Sequence, residues 1–241
     1  MEQIYTIPVN EAFEASAADS KEGVHVCPFC RLYKKLETDE TELILGASMM
    51  EPDTRLKTNA QGFCKTHLEQ LFTMGKRLPL ALMLESHLEH IGEQMKFGIF
   101  AAKSGATASK SLRSISDGCY ICSRIEHNFN LMIETAALLW QCDMAFRDKT
   151  AAQHHFCLDH FTKFLAAAQV RLSKREFAEF YKSVGTAEAE YIASLKDDVS
   201  RFCKKFDYRY ADEPWEGAKD APERAAFFLS GDKVPEAKDK K

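Results

Sequence analysis

Apolar residues recur at helical spacing along most of the chain. The clearest stripes are Leu84, Leu88, Ile91 and Met95 in the first half, and Ile125, Phe129, Met132, Ala136 and Leu139 in the second. Nowhere do apolar and polar residues alternate as they do in a strand with one buried face. Near the end of the chain, Ser173 and Glu176 have the spacing of a capping box ahead of a long apolar stripe. The pattern therefore predicts an all-α fold.

Polar segments and breaker residues divide this pattern into five parts. These are an N-terminal arm (1–26), a first helical segment (27–102), a linker rich in Ser, Gly, Thr and Ala (103–118), a second helical segment (119–206), and a C-terminal strap and tail (207–241). In the first helical segment we predict a helix from Pro28 to Met50, a polar loop at 53–62 and a short helix after Cys64. Each helical segment is predicted to hold about three helices.

The cysteines and histidines indicate an internal repeat. They include two Cys-x-x-Cys pairs and two Cys-x-x-His pairs: Cys27 and Cys30, Cys64 and His67, Cys119 and Cys122, and Cys157 and His160. The second set follows the first by 92 to 93 positions, and the apolar residues after each Cys-x-x-His match as well. We therefore interpret the chain as two tandem copies of one helical unit.

These eight residues are candidate ligands of two metal ions. Thiolates and imidazole in a tetrahedral set select zinc first and iron second. All four pairs lie at predicted helix starts, where free N–H groups favour thiolate over thiol. Three thiolates and one imidazole leave no open position for a catalytic water. We therefore expect two structural Cys3His sites, with two zinc ions per chain and no catalytic residues.

We expect each site to be completed within its own repeat. Cys30 and Cys64 are separated by 33 residues, and Cys122 and Cys157 by 34. Within one repeat, the chain must leave the metal after the first pair and return to it at the second. About 23 helical residues leading away and about 10 extended residues leading back would span that path. The alternative, which the sequence also permits, joins the first pair of each repeat to the second pair of the other.

Two other chemistries could use the same residues. An iron-sulfur cluster, or another redox-active metal centre, takes the same ligands. Thiol redox catalysis is indicated by Cys27-Pro28-Phe29-Cys30, because such a motif occurs in thioredoxin-like proteins. That site needs a preceding strand, which the pattern lacks, and Cys119-Tyr120-Ile121-Cys122 has no proline. The interpretation we favour is a zinc protein that acts as a binding or adaptor module.

Composition and charge narrow the class of partner. Hydrophobic residues make up 45% and charged residues 28% of the chain, as in an ordinary globular protein. The net charge of −4, with no long basic run outside the tail, argues against nucleic-acid binding. No apolar stretch is long enough to span a bilayer, and the start lacks the basic residues of a signal peptide. We expect a cytoplasmic protein with an unidentified protein or small-molecule partner.

Other residues have more ordinary predicted roles. Cys142 and Cys203 lie in helical patterns and are predicted to be small buried apolar residues. His87 and His90 lack the Glu-x-x-His partners of a bundle metal site and are predicted to be surface or core histidines. Three histidines close to the ligands in sequence are candidates for supporting the metal sites: His25, His154 and His155. Residues 204–225 are predicted to strap the last helix to the bundle, with a partner or ligand site as the alternative.

With these motifs, the chain resembles an uncharacterised family of cytoplasmic bacterial proteins, mostly from anaerobic Firmicutes. The residues that carry the resemblance are Cys27, Pro28, Cys30, Gly62 to Cys64, His67, Cys119, Cys122, Phe156, Cys157, His160 and Phe206 to Arg209. The resemblance covers nearly the whole chain and implies the metal-ligand positions and a helical fold. Because the family is a domain of unknown function, the resemblance implies no activity.

Overall fold

The computed structural model describes residues 3–21, 23–96, 101–210 and 212–231, and within these ranges every regular element is helical. The α-helices described are α1 (Thr6–Lys21), α2 (Pro28–Ile44), α3 (Pro52–Gln61), α4 (Lys65–Thr73), α5 (Arg77–Gln94), α6 (Ala101–Asp117), α7 (Tyr120–Cys142), α8 (Met144–Ala151), α9 (Leu158–Arg171), α10 (Lys174–Lys204) and α11 (Ala221–Ser230). Short 3-10 helices lie at Gln3–Tyr5, Ala47–Met50, Tyr208–Tyr210 and Ala218–Asp220. The predicted all-α class is confirmed. None of the helices in these ranges combines the length and the apolar character needed to cross a membrane.

Each helical segment contains four main helices where about three were predicted. The first has α2 to α5 and the second has α7 to α10, in the same order of long and short helices. The helices that the pattern missed are α3 and α8. Pro52 and Asp53 favour the start of α3, but α3 buries only Thr58, so no apolar stripe marked it. The predicted loop at 53–62 is therefore wrong, whereas the duplication itself stays a prediction.

The chain divides into two compact units. Unit 1 comprises Met1–Lys34 and Phe129–Lys241, and unit 2 comprises Lys35–Asn128. This division cuts across the five sequential parts drawn from the sequence pattern, because its boundaries fall within α2 and α7. The predicted C-terminal tail from residue 232 onward lies outside the described residues.

The core of unit 1 is a cluster of phenylalanines. All are at most 3% exposed: Phe13, Phe29, Phe129, Phe146, Phe156, Phe164 and Phe180. The ring centroids of Phe13 and Phe146 lie 4.8 Å apart, and those of Phe29 and Phe164 lie 5.0 Å apart. Rings at these separations, most of them tilted or edge-on, stabilise one another beyond the effect of burial alone. This cluster draws together α1, α2, α7, α8, α9 and α10.

The N-terminal segment predicted as an extended arm is instead helical over Thr6–Lys21. Its buried residues are Val9, Ala12, Phe13 and Ser16, which occupy one helical face at spacings of three, four and seven. The small polar residues of the segment obscured this stripe. Helix α1 therefore belongs to the core of unit 1, and the prediction of an arm is wrong there.

Unit 2 differs from the sequence pattern in two further places. The segment at 103–118, predicted to be a linker, belongs almost entirely to α6, whose Ile115 is buried. On α5 the buried residues are Leu80 and Met83, while Leu88 of the predicted stripe is 66% exposed. The short helices α3 and α4 pack beside α5. The apolar spacing along α5 did not show which of its faces these helices cover.

The two longest helices agree with the pattern. Every residue of the stripe predicted on α7, from Ile125 to Leu139, is buried. The capping box of α10 is also confirmed: the Ser173 hydroxyl accepts a hydrogen bond from the Glu176 N–H at 3.3 Å, and Glu176 accepts one from the Ser173 N–H at 2.8 Å. These helices fix the positions of the ligand-bearing turns described next.

Candidate metal centres

The eight predicted ligands come together in two groups of four. Centre A, in unit 1, comprises Cys27, Cys30, Cys157 and His160, and centre B, in unit 2, comprises Cys64, His67, Cys119 and Cys122. Within each group, the candidate ligand atoms all lie within 4.8 Å of one another. No other Cys, His, Asp and Glu side chains converge in this way among the residues that the structure describes. Each group therefore offers three sulfurs and one nitrogen to a single ion.

The expected pairing within each repeat is wrong. Each centre takes its Cys-x-x-Cys pair from one predicted repeat and its Cys-x-x-His pair from the other. Pairing within the first repeat required about 10 extended residues returning from the end of α2. Those residues form α3 instead, and ten helical residues rise only about 15 Å, less than the length of α2. Helix α8 shortens the return in the second repeat in the same way.

All four pairs have the same local geometry. The first ligand of each pair caps a helix, because its carbonyl accepts the first helical hydrogen bond: Cys27 from Arg31, Cys64 from Leu68, Cys119 from Ser123 and Cys157 from Phe161. The second ligand follows three residues later, in the first turn. Residues three apart on a helix lie on the same face, so both side chains of a pair reach the same point. The helix N-termini there stabilise negative charge on the sulfurs.

Centre A is compact and deeply buried. The Nδ1 atom of His160 lies 3.7 Å from the Cys27 sulfur, 3.4 Å from the Cys30 sulfur and 3.1 Å from the Cys157 sulfur. The Cys30 and Cys157 sulfurs are 3.6 Å apart. None of these four residues is more than 8% exposed.

The surroundings of centre A are aromatic. The imidazole of His160 packs against Phe129, with ring centroids 4.9 Å apart, and against Phe29 and Tyr33. On another side, the chain that follows α11 comes close to Cys30: a methyl group at Gly231 would lie 3.8 Å from the Cys30 sulfur. Centre A is therefore part of the phenylalanine core of unit 1.

Centre B has the same ligands at similar separations. The Nδ1 atom of His67 lies 3.3 Å from each of the three sulfurs, and the Cys64 and Cys122 sulfurs are 3.8 Å apart. Its burial is different, because Cys64 and Cys122 are partly exposed while His67 and Cys119 are buried. Two of the three cysteines of centre B are therefore less deeply buried than any ligand of centre A.

Both sets of distances fit a tetrahedral ion. Bonds of about 2.3 Å to sulfur and about 2.0 Å to nitrogen place two sulfurs about 3.8 Å apart, and a sulfur and a nitrogen about 3.5 Å apart. The sulfur separations of 3.6 and 3.8 Å and the nitrogen-to-sulfur separations of 3.1 to 3.7 Å are close to these values. One zinc-sized ion would therefore fit each centre with little movement of the ligands.

Two glycines allow the half-sites of centre B to meet. Gly62 has a φ of +66°, and its carbonyl accepts a hydrogen bond of 3.0 Å from the Tyr120 N–H. A methyl group at Gly118 would lie 2.4 Å from the Gln61 carbonyl oxygen, closer than atoms can approach. Only glycine therefore fits at residue 118, directly before the ligand Cys119.

A carboxylate lies behind the imidazole of centre B. The Oε1 atom of Glu37 is 3.7 Å from the Nε2 atom of His67, the nitrogen that faces away from the sulfurs. This separation is too long for a hydrogen bond, so Glu37 acts on the imidazole through its negative charge, which favours binding of a cation on the opposite nitrogen. No motif indicated Glu37, which lies on α2, 30 positions before His67.

The thiols of each centre shift the pKa values of their neighbours. Burial raises the pKa of Cys27 well above its ordinary value, and the Cys157 and Cys30 thiols add to the rise. Hydrogen bonds from Cys27 and Cys30 lower the pKa of Cys157. In centre B, burial and then the Cys119 thiol raise the pKa of Cys122 to about 12. A divalent cation that replaced these shared protons would stabilise all the thiolates of a centre at once.

The remaining candidates have other surroundings. Cys142 and Cys203 are exposed, so the prediction that they are buried is wrong: each lies on the solvent side of its helix. The rings of His25 and His154 stack with centroids 3.6 Å apart, and His155 stacks on Tyr191 at 4.4 Å. These histidines flank centre A in sequence without joining its group of ligands.

Comparison with known proteins places the chain in a family. No curated protein and no solved structure matches it. A family model described as "Family of unknown function (DUF6062)" matches residues 1–236, which include both centres and every described helix. The resemblance to a domain of unknown function is thereby confirmed, and the chain belongs to the DUF6062 family.

Proposed function

We propose that this protein binds two zinc ions, one in centre A and one in centre B, and that both ions are structural. The observation that carries the proposal is the convergence of three sulfurs and one imidazole nitrogen at each centre. Four protein ligands fill a tetrahedral zinc ion, which leaves no position for water or substrate. Each ion would tie together the starts of two helices that are far apart in sequence.

The geometry favours a single ion over an iron-sulfur cluster. In a cluster at least two protein ligands bind different iron atoms, and those ligands lie farther apart than the ligands of one ion. All four candidate ligand atoms of each centre instead lie within 4.8 Å of one another, as they do around a single ion. Among single ions, zinc is the one that a set of three thiolates and one imidazole selects first.

We propose that the zinc-stabilised helices act as a cytoplasmic binding or adaptor module. All eight cysteines are free thiols in the structure, as a reducing compartment maintains them. A groove of about 770 Å³ between α7 and α9 offers a surface for a partner. Its lining combines the apolar Leu131, Leu138 and Val170 with the cations Lys163 and Arg171. Val170 is 90% exposed, so a partner in the groove could contact it directly.

Metal analysis of the full-length protein, purified without chelator, tests the zinc proposal. We expect about two zinc ions per chain and a colourless protein. Stoichiometric iron with sulfide and a brown colour would support the iron-sulfur alternative instead. Protein that folds without any bound metal would contradict both.

The adaptor role is tested separately by partner recovery from the native cell. We expect a specific protein to co-purify with the wild type and with Gln169→Glu, because Gln169 is exposed but does not line the groove. Val170→Glu places a charge in the groove and should abolish that recovery. Equal recovery with both variants would contradict the groove as the partner's site.

A further inference from the structure

The two centres contain matching pairs of sulfurs that differ in exposure. Cys64 and Cys122 of centre B occupy the same places in the motifs as Cys157 and Cys30 of centre A. Their sulfur-to-sulfur distances are nearly equal, 3.8 Å in centre B and 3.6 Å in centre A. Cys30 is only 6% and Cys157 only 1% exposed, whereas Cys64 and Cys122 are both partly exposed. A comparison of the two pairs within one protein therefore isolates the effect of exposure on the reactivity of the cysteines.

Different surroundings explain the difference in exposure. In centre A, rings of the phenylalanine core surround the ligands, and the chain at Gly231 lies against Cys30. In centre B, Cys64 and Cys122 are partly exposed although they hold the same helix positions as Cys157 and Cys30, so the difference comes from tertiary packing and not from local geometry. Small oxidants in solution should therefore approach Cys64 and Cys122 more readily than Cys30 and Cys157, which need local opening first.

We propose that Cys64 and Cys122 are a site of oxidation by hydroperoxides, at which the two thiolates form a disulfide and centre B releases its zinc ion. This inference rests on the proposed function, because it needs a zinc ion at centre B. The oxidant belongs to the class of hydrogen peroxide and small organic hydroperoxides.

The reaction proceeds in two balanced steps. In the first, one thiolate attacks a peroxide oxygen: an S–O bond forms, the O–O bond breaks, and the leaving hydroxide, or alkoxide from an organic hydroperoxide, takes a proton from solvent to become water or an alcohol. In the second, the other thiolate attacks the resulting sulfenic sulfur: an S–S bond forms, the S–O bond breaks, and the leaving hydroxide takes a second proton from solvent to become water. The two sulfurs together lose two electrons, which reduce one molecule of peroxide.

The zinc ion is lost because only Cys119 and His67 remain as ligands. A structural zinc ion is bound by four protein ligands, and two ligands bind it too weakly to retain it. The new disulfide joins the start of α4 to the first turn of α7, the same two places that the ion had joined. Unit 2 would therefore keep its half-sites connected, and reduction in the presence of zinc would restore the original centre.

The test uses the full-length, zinc-loaded protein in a Cys142→Ser/Cys203→Ser background. These substitutions remove the exposed thiols that are not ligands and leave both centres intact. Hydrogen peroxide is added while a chromophoric chelator reports free zinc. We expect one zinc per chain to be released at least about tenfold faster than the other. Peptide mapping after that first phase should show a disulfide between Cys64 and Cys122.

Each other outcome contradicts a definite part of the account. Release of both ions at one rate, or retention of both, overturns the inference, as does a first disulfide between Cys30 and Cys157 or between Cys119 and Cys122. Fewer than two zinc ions before peroxide is added would contradict the proposed function itself. The zinc content of the untreated protein therefore separates failure of the proposed function from failure of this inference.

Discussion

Centre A and centre B use the same four ligand types, in the same motifs, for different structural roles. Centre A lies among the phenylalanines of unit 1, and all four of its ligands are buried. Centre B lies beside a close backbone contact between Gly118 and the Gln61 carbonyl, and has the carboxylate of Glu37 near its imidazole. The repeated motifs therefore set which ligand types a site offers, whereas the residues around the motifs decide how deeply the site is buried.

Centre A and centre B differ in the packing around their ligands more than in the ligands themselves. Removing an ion from centre A would leave three buried thiols among aromatic rings that water does not reach. Removing an ion from centre B would expose sulfurs that water already reaches in part. We therefore expect centre A to contribute more to global stability and centre B to exchange and react more readily.

The largest expected effect comes from removing one thiolate from each centre in turn. We expect Cys157→Ser to lower the free energy of unfolding by more than about 4 kcal/mol, and Cys64→Ser by about 2 kcal/mol. The reason is that Cys157 is 1% exposed, whereas water can approach Cys64. Chemical denaturation in zinc-containing buffer measures both values.

The matched controls for this comparison are Cys142→Ser and Cys203→Ser. Both thiols are exposed and outside the centres, so each change should stay within about 0.5 kcal/mol of the wild type. Equal losses for Cys157→Ser and Cys64→Ser would refute the difference in structural role between the centres.

A smaller effect is expected from the glycine contact of centre B. Gly118→Ala should destabilise the protein by about 1 to 3 kcal/mol, because the added methyl group collides with the Gln61 carbonyl. It should also weaken zinc binding at centre B alone. Gly105→Ala is the control: no atom lies within 4 Å of its added methyl group, so the better helix former should stabilise α6 by about 0.5 to 1 kcal/mol. Destabilisation by both substitutions would show that the close contact at residue 118 is not the cause.

The smallest of these effects concerns Glu37. Glu37→Gln removes the negative charge near His67 and should weaken zinc binding at centre B about tenfold, with centre A unchanged. Competition with a chelator of known affinity measures the change. Asp39→Asn, on the same helix but paired with Lys35 at the surface, should leave both affinities unchanged. A loss of affinity in both variants would point to the general charge of α2 instead of the contact with His67.

The motifs selected the same eight residues that converge in the two centres, because a Cys-x-x-Cys or Cys-x-x-His pair at a helix start is a local feature. Helix α7 was predicted equally well, since its apolar stripe is buried along its whole length. Local patterns of this kind need no knowledge of the rest of the fold.

The pairing of the half-sites could not be predicted in the same way. It depends on whether residues 53–62 are extended or helical, and a short helix that buries only Thr58 leaves little mark on the sequence. Helix α6 was missed for a related reason, because its Ser, Gly and Ala residues are as common in linkers as in small-residue helices. Glu37 and the chain at Gly231 reach their centres only through tertiary structure.

Two double variants test the central claim, that each centre is assembled from both repeats. Cys27→Ser/Cys157→Ser changes two ligands of centre A only, whereas Cys27→Ser/Cys64→Ser changes one ligand of each centre. Zinc is counted in both after mild chelator treatment. We predict about one retained zinc ion per chain in the first variant and close to none in the second. The reverse result, with the zinc ion retained only in Cys27→Ser/Cys64→Ser, would show that each repeat completes its own site and would contradict the account.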